Sequence, residues 1–106
     1  MAPSDLIKRY SLQPHPEGGY YTSTYQASML LSQQDLPSVF KGDRPVSSAI
    51  YYLLEKGDFS SFHRIASDEC WHFYSGDPLW IHVLAPDGSY TRTTLGSKED
   101  MTFQHI

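Results

Sequence analysis

The chain has 106 residues, of which 40% are apolar and 14% aromatic, and its formal charge at neutral pH is −4. This length predicts a single domain over residues 1–106, and the apolar fraction excludes a chain that is disordered throughout. The eight Lys and Arg residues are scattered along the chain, so it lacks the basic cluster that a nucleic-acid-binding protein needs for its phosphate contacts.

The cysteine content and the apolar segments indicate the cellular compartment of the protein. Cys70 is the single cysteine and cannot form an internal disulfide, which favours a reducing environment. The N-terminal segment MAPSDLIKRY lacks the apolar stretch of a signal peptide. The longest apolar run, residues 49–54, is far too short to cross a bilayer. We therefore expect a cytoplasmic protein that does not bind membranes.

The N-terminal part of the chain predicts one helix and one strand. Ser4 and Asp5 can cap a short helix that runs to about Leu12, and the PHPEGG segment that follows demands a turn. Residues 20–25, YYTSTY, favour β-structure. Residues 27–44 show no clear periodicity, with one possible helical turn over 29–34.

From residue 46 onwards, short predicted strands follow one another with turns between them. They cover residues 46–54, 59–65, 69–74, 79–84, 90–95 and 102–106, and Pro86-Asp87-Gly88 is a strong hairpin signal. Strands at intervals of about ten residues are typical of a sandwich or barrel. The sequence therefore predicts an all-β fold with a short N-terminal helix.

The segment GDFSSFHRIASDECWHFYSG, residues 57–76, carries the candidate chemistry. Side chains alternate between the two faces of a strand, and a tight turn would bring one face of each of two neighbouring strands together. The shared face carries an imidazole and a carboxylate, His63 and Glu69. The same face carries three side chains that we assign to ligand binding: Ser61, Trp71 and Phe73.

Either His63 or Glu69 can act as a general acid or base in such a site. An apolar wall raises the pKa of a carboxyl group, whereas a protonated imidazole beside it lowers that pKa. The alternative is a buried pair whose members satisfy each other beside Arg64 and Asp68. Trp71 and Phe73 also have a plain alternative as core residues, because aromatic side chains dominate small cores.

The segment HPEGGYY, residues 15–21, is a second candidate. Pro16 and the two glycines explain a tight turn before the first long strand, but they do not explain the side chains of His15 and Glu17. Polar side chains on glycine-rich loops beside a rigid scaffold are common in binding sites. We assign Glu17 and Tyr21 to ligand binding at the mouth of a barrel, with a purely structural turn as the alternative.

These motifs resemble those of a known superfamily. Gly57, His63, Glu69 and Gly76 match in register the first cupin motif, G-x5-H-x-H-x3-E-x6-G, and Ile65 stands in place of its second histidine. Over nearly its whole length the chain resembles an uncharacterised cupin family related to the dTDP-4-dehydrorhamnose 3,5-epimerase-like barrels. The shared segments are LIKRY-SL before HPEGGYY, SSAIYYLL before GDFSSFHRIASDECWHFYSGDPL, and the APDGS hairpin.

The resemblance implies a double-stranded β-helix, the jelly-roll barrel of two facing sheets, and pairing as a homodimer. It also implies that the C-terminal part of the family domain, with the second motif and the closing strands, is absent after Ile106. With Ile65 in place of a histidine, only His63 and Glu69 remain as metal ligands, and a stable site needs three or four. We therefore expect no metal cofactor.

Three functions stay open on this basis. The first is a barrel that binds a nucleotide, a sugar nucleotide or a related metabolite and acts as an epimerase or isomerase, with His63 and Glu69 exchanging protons with the substrate. The second is a barrel that binds such a molecule without turnover. The third is a structural barrel whose open edge is completed by dimerisation. The expected partners are a small molecule and a second copy of the chain.

Overall fold

The computed structural model describes residues 2–106, and the chain divides into two compact units, Met1–Ala66 and Ser67–Ile106. The elements in chain order are helix α1 (Pro3–Tyr10), β1 (Gln13–Pro14), β2 (Tyr20–Gln26), β3 (Leu30–Leu31), a 3-10 turn (Gln33–Asp35), β4 (Arg44–Pro45), β5 (Ser48–Leu53), β6 (Trp71–His72), β7 (Leu79–Leu84), β8 (Tyr90–Leu95) and β9 (Gln104–His105). The predicted all-β class with a short N-terminal helix is confirmed. The single domain over residues 1–106 stays a prediction.

Helix α1 begins at Pro3, where the missing amide hydrogen of proline costs no helical hydrogen bond. Ala2 occupies the N-cap position, so the predicted capping by Ser4 and Asp5 is wrong. Asp5 instead lies in the first turn, where its charge complements the helix dipole. The helix ends before the predicted Leu12 because Ser11 adopts the left-handed conformation that terminates many helices, with φ 53°.

The main sheet of the first unit is three-stranded and antiparallel, in the order β1-β2-β5. Tyr51 and Tyr52 are neighbours on β5, so their side chains point to opposite faces. The ring of Tyr10, from α1, lies edge-on to the ring of Tyr51 at 5.2 Å. His15 contacts Tyr52 and its cross-strand partner Tyr21 instead. The helix and His15 therefore use different faces of the sheet.

Residues 54–66 contain no regular element, so the predicted strand over residues 59–65 is wrong. The side chains from Ser61 onwards are exposed, and a sequence that favours β-structure forms a strand only when another strand and a packed face are available. The predicted helical turn over residues 29–34 is also replaced, by β3 and the 3-10 turn. Strand β3 pairs with β4 through Leu30 and Pro45.

The second unit contains two antiparallel strand pairs, β7 with β8 and β6 with β9. The hairpin of β7 and β8 lies where the sequence predicts it, with Gly88 in its turn at φ 87°. Its register places Leu79 opposite Leu95, which is only 3% exposed. The predicted strands over residues 69–74 and 102–106 are reduced to β6 and β9.

The opposite face of the β7–β8 hairpin carries exposed aromatic and basic side chains. The guanidinium of Arg92 lies over the ring of Trp80, 4.1 Å from its centre. The Nδ1 atom of His82 lies 2.6 Å from the hydroxyl oxygen of Tyr90. Trp80 and His82 alternate with the more buried side chains of Leu79 and Ile81 on the same strand. No helix in residues 2–106 has both the length and the apolar character to cross a membrane.

Candidate functional site

A pocket of about 350 Å³ lies within the first unit. One wall is the turn of residues 15–19, and the other is the loop formed by residues 57–59 and Ser61. The turn connects β1 to β2, and the loop follows β5, the partner of β2. The paired strands therefore hold the two ends of the pocket in place.

The turn is closed by its own backbone. The amide of His15 donates to the carbonyl oxygen of Gly19 at 2.8 Å, and the amide of Gly18 donates to the carbonyl oxygen of His15 at 3.0 Å. Gly18 has φ 117°, a conformation that residues with a side chain rarely adopt. The hydroxyl of Tyr52 donates to the carbonyl oxygen of Gly18 and ties the turn to β5.

The loop lies directly against the turn. The amide of Ser61 donates to the carbonyl oxygen of Glu17 at 2.8 Å. A Cβ atom at Gly18 would overlap the carbonyl oxygen of Phe59, so only glycine allows the backbones to approach so closely. The glycine therefore has a structural role in bringing the two walls together.

His15 and Glu17 form a polar pair in the turn. The Nδ1 atom of His15 lies 2.8 Å from Oε2 of Glu17. The same nitrogen lies 3.1 Å from the amide of Glu17, but one nitrogen can either donate its proton to the carboxylate or accept the amide hydrogen. The shorter contact, to the carboxylate, indicates that Nδ1 carries the proton. The side chains are 21% and 31% exposed, so the pair is partly shielded from water.

The loop adds a second carboxylate and an aromatic ring. The amide of Glu55 donates to Oδ2 of Asp58 at 3.1 Å, which fixes this carboxylate at the tight turn after β5. Phe59 is 72% exposed although it contributes to the pocket wall. The pocket therefore combines two carboxylates, a hydroxyl residue and an apolar ring.

The structure brings Glu17 and Ser61, two of the predicted ligand-binding residues, to this pocket. Tyr21 lies beside it, with its ring edge-on to His15 at 4.9 Å, and does not contribute to the wall. His15 and Asp58 also line the pocket, although neither was predicted as a site residue. The available signal was the spacing of His15 and Glu17, since two residues separated by one position can meet across a tight turn.

His63 and Glu69, the predicted acid and base, are both exposed. The Nδ1 atom of His63 lies 2.8 Å from the carbonyl oxygen of Ser61, and Glu69 accepts a 2.8 Å hydrogen bond from the indole nitrogen of Trp71. The sequence predicts that these two side chains are buried in an apolar wall, and the structure does not show this burial. His63 belongs to the first unit and Glu69 to the second, so the shared face stays a prediction.

The predicted aromatic wall residues lie in or beside β6. Trp71 and Phe73 are half-buried, and the amide of Phe73 donates to the carbonyl oxygen of Phe103 at 2.9 Å. Within residues 2–106, no three His, Cys, Asp or Glu side chains converge in a way that could hold a metal ion. The ligand set of metal-dependent cupins therefore does not fit the donors in this part of the chain.

Comparison with known proteins identifies relatives of uncharacterised function. The chain has 34% sequence identity to a crystallised protein from Shewanella oneidensis, with a TM-score of 0.83. The matched region covers 99% of this chain and 62% of the Shewanella protein. The chain also has 29% sequence identity to a hypothetical protein from Leishmania major, with a TM-score of 0.85. This matched region covers 99% of this chain and 64% of the Leishmania protein. The chain therefore spans less than two thirds of either relative. No curated protein matches it significantly.

Residues 4–106 match the family model described as Cupin superfamily (DUF985). This match covers nearly the whole chain and agrees with the β-rich structure and the short N-terminal helix. The fold is that of a jelly-roll cupin, as the sequence motifs predict. The chain belongs to the cupin superfamily, within the family described as DUF985.

Proposed function

We propose that the chain binds a polar small molecule in the pocket between residues 15–19 and 57–61. The observation that carries this proposal is the open pocket itself, whose volume of about 350 Å³ can hold a small polar molecule. Its polar groups lie on a turn and a loop held by backbone hydrogen bonds. Such prior ordering lowers the entropy cost of binding. The resemblance to epimerase-like barrels favours a nucleotide, a sugar nucleotide or a related metabolite.

Epimerase or isomerase activity is the catalytic form of this proposal. The carbonyl oxygen of Ser61 can only accept, so Nδ1 of His63 must carry the proton in their contact. The Nε2 atom of a neutral His63 ring is then unprotonated and can act as a general base. Glu69, oriented by the indole of Trp71, is the proposed second group for proton transfer.

A thermal-shift panel of nucleotides, nucleotide sugars and divalent metals, followed by calorimetric titration of each hit, tests the binding proposal. Ser61→Ala should weaken a hit several-fold, and Glu17→Gln should change its affinity because it removes a charge from the pocket wall. Glu99→Gln removes a similar charge from an exposed position outside the pocket and should not change the affinity. A hit whose affinity is unchanged in both pocket variants would place the ligand elsewhere.

Turnover separates the catalytic form from simple binding. Incubation of the protein with each bound sugar nucleotide, followed by NMR analysis of the sugar stereochemistry, should give a product that His63→Ala fails to form. Binding with no product after hours supports the alternative, a non-catalytic binding barrel. Full turnover by His63→Ala would remove the proposed role of His63.

We also propose that two copies of the chain associate, as the family resemblance implies. Support comes from the exposed face of the β7–β8 hairpin, where Trp80, Leu84 and Tyr90 are all exposed. Isolated two-stranded hairpins are only marginally stable, and aromatic side chains are enriched in interfaces. The single cysteine supports placing this dimer in a reducing compartment such as the cytoplasm.

A further inference from the structure

We infer that the pocket takes a neutral sugar and discriminates against the phosphorylated and nucleotide-linked forms of that sugar. This inference rests on the proposed function, a polar small molecule in this pocket, and it puts a neutral sugar in place of the nucleotide or sugar nucleotide that the family resemblance favours. It depends on the charges, the hydrogen-bonding groups and the aromatic ring that the walls present.

The charged groups of the walls exclude a phosphate. Glu17 and Asp58 place two carboxylates there, and the described residues that line the pocket include no Lys or Arg. Phosphate sites in proteins rely on Arg, Lys or a helix N-terminus to compensate the charge. A phosphate or diphosphate in this pocket would face like charges, which disfavours its binding.

The backbone amides of the walls are in part already bonded within the protein. An anion site made of backbone needs several amide hydrogens that point towards the ligand. Four of the lining residues already donate their amide hydrogens to carbonyl oxygens: His15, Gly18, Asp58 and Ser61. These four amides are not available to compensate the charge of a phosphate.

Neutral hydroxyl groups suit the two carboxylates of the walls. An ionised carboxylate offers about four acceptor positions. Oε2 of Glu17 contacts His15, and Oδ2 of Asp58 accepts from the amide of Glu55. Oε1 of Glu17 and Oδ1 of Asp58 can accept hydrogen bonds from sugar hydroxyls, and bonds to a charged acceptor are about twice as strong as neutral ones.

The ring of Phe59 completes the match to a sugar. This ring is 72% exposed and belongs to the same pocket wall as the carboxylate of Asp58. A pyranose carries hydroxyls around its rim and an apolar C–H face, so it can use the carboxylates and the aromatic ring together.

NMR titration of the protein with glucose, galactose and mannose, with their 1-phosphates, and with UDP-glucose tests the inference. At least one neutral sugar should bind more tightly than its 1-phosphate and than UDP-glucose. Glu17→Gln and Asp58→Asn keep an acceptor oxygen but remove the charge, so each should weaken the neutral sugar about fivefold to tenfold. The same variants should strengthen binding of the 1-phosphate.

Asp77→Asn and Glu99→Gln remove one charge each from exposed positions in the second unit and serve as matched controls. They should leave the ratio of sugar to sugar-phosphate affinity unchanged. Tighter binding of a 1-phosphate or of UDP-glucose by the wild-type pocket would overturn the inference but keep the proposed function. If the folded protein binds none of the three forms, the inference fails, and the separate nucleotide panel then decides the proposed function.

Discussion

Gly18 lies at the closest approach between the two walls of the pocket. Its φ of 117° is strained for any residue with a side chain, and a Cβ atom there would also overlap the carbonyl oxygen of Phe59. We expect Gly18→Ala to lower the free energy of unfolding by about 3 kcal/mol, because backbone strain and a steric clash combine. Urea unfolding followed by tryptophan fluorescence and circular dichroism measures this loss.

Gly76 provides the matched control for this substitution. Its φ is 106°, but a Cβ atom there would meet no other atom within 4 Å. Gly76→Ala therefore introduces backbone strain alone and should cost only about 1 kcal/mol. Equal losses in the two variants would show that the approach of Phe59 to Gly18 contributes nothing to stability.

The site residues could be predicted only in part. Glu17 was predictable because a charged side chain in a glycine-rich turn has no role in turn geometry. Ser61 was assigned from a strand face shared with His63, although no strand forms at that position. Asp58 was not predictable, because an acidic residue after Lys56-Gly57 is an ordinary turn residue in sequence. Its place in the pocket depends on the approach of the loop to the turn, which no local pattern encodes.

The turn of the β7–β8 hairpin contains a carboxylate with a lowered pKa. The side chain of Ser89 is the main cause, and the amide of Ser89, which donates to Oδ1 of Asp87 at 2.9 Å, adds to it. Both bonds favour the charged form, so Ser89→Ala should raise the pKa of Asp87. Titration of the side-chain carboxyl carbon of Asp87 by NMR in both proteins measures the change.

The lowered pKa of Asp87 makes the stability of the folded protein depend on pH. A carboxyl group with a lowered pKa in the folded state stabilises the fold above its unfolded pKa, and this contribution is lost as the pH falls through the folded pKa. Asp87→Asn should therefore weaken the dependence of stability on pH below about pH 4, where free carboxyl groups titrate. Identical acid unfolding curves for the wild type and Asp87→Asn would contradict this.

The elements were predicted well where local signals and pairing agree. The β7–β8 hairpin has alternating side chains and a Pro-Asp-Gly turn, so its strand bounds and register follow from nearby residues. The strand over residues 59–65 was predicted from its β-favouring residues and the turns on either side. No strand forms there in the described chain, because β-propensity is decided by the packing that the rest of the fold provides.

At the scale of the whole molecule, the family was predictable because long motifs occur in the right order along the chain. The match over residues 4–106 and the similarity to two structures of TM-score above 0.8 confirm that reading. The position of the pocket was not predictable from the same motifs. Residues 15–19 and 57–61 lie inside two of those motifs, but the motifs do not show that these two segments lie side by side.

The last prediction concerns the association of two copies of the chain. If the exposed face with Trp80 and Leu84 is covered by a partner, the melting temperature must depend on protein concentration. A hundredfold dilution from about 100 μM should lower it by roughly 5 °C, given the unfolding entropy of a domain of this size. Sedimentation equilibrium at the higher concentration should give twice the chain mass of 12.1 kDa.

Leu84→Lys places a charge in the proposed interface and should give a monomer whose melting temperature no longer changes on dilution. Val39→Lys is the matched control, because Val39 is equally exposed but lies in the first unit. This variant should keep the dimer and its dependence on concentration. A wild-type protein that stays monomeric at about 100 μM would remove the interface, since the exposed apolar face would then have no partner copy at concentrations that favour association.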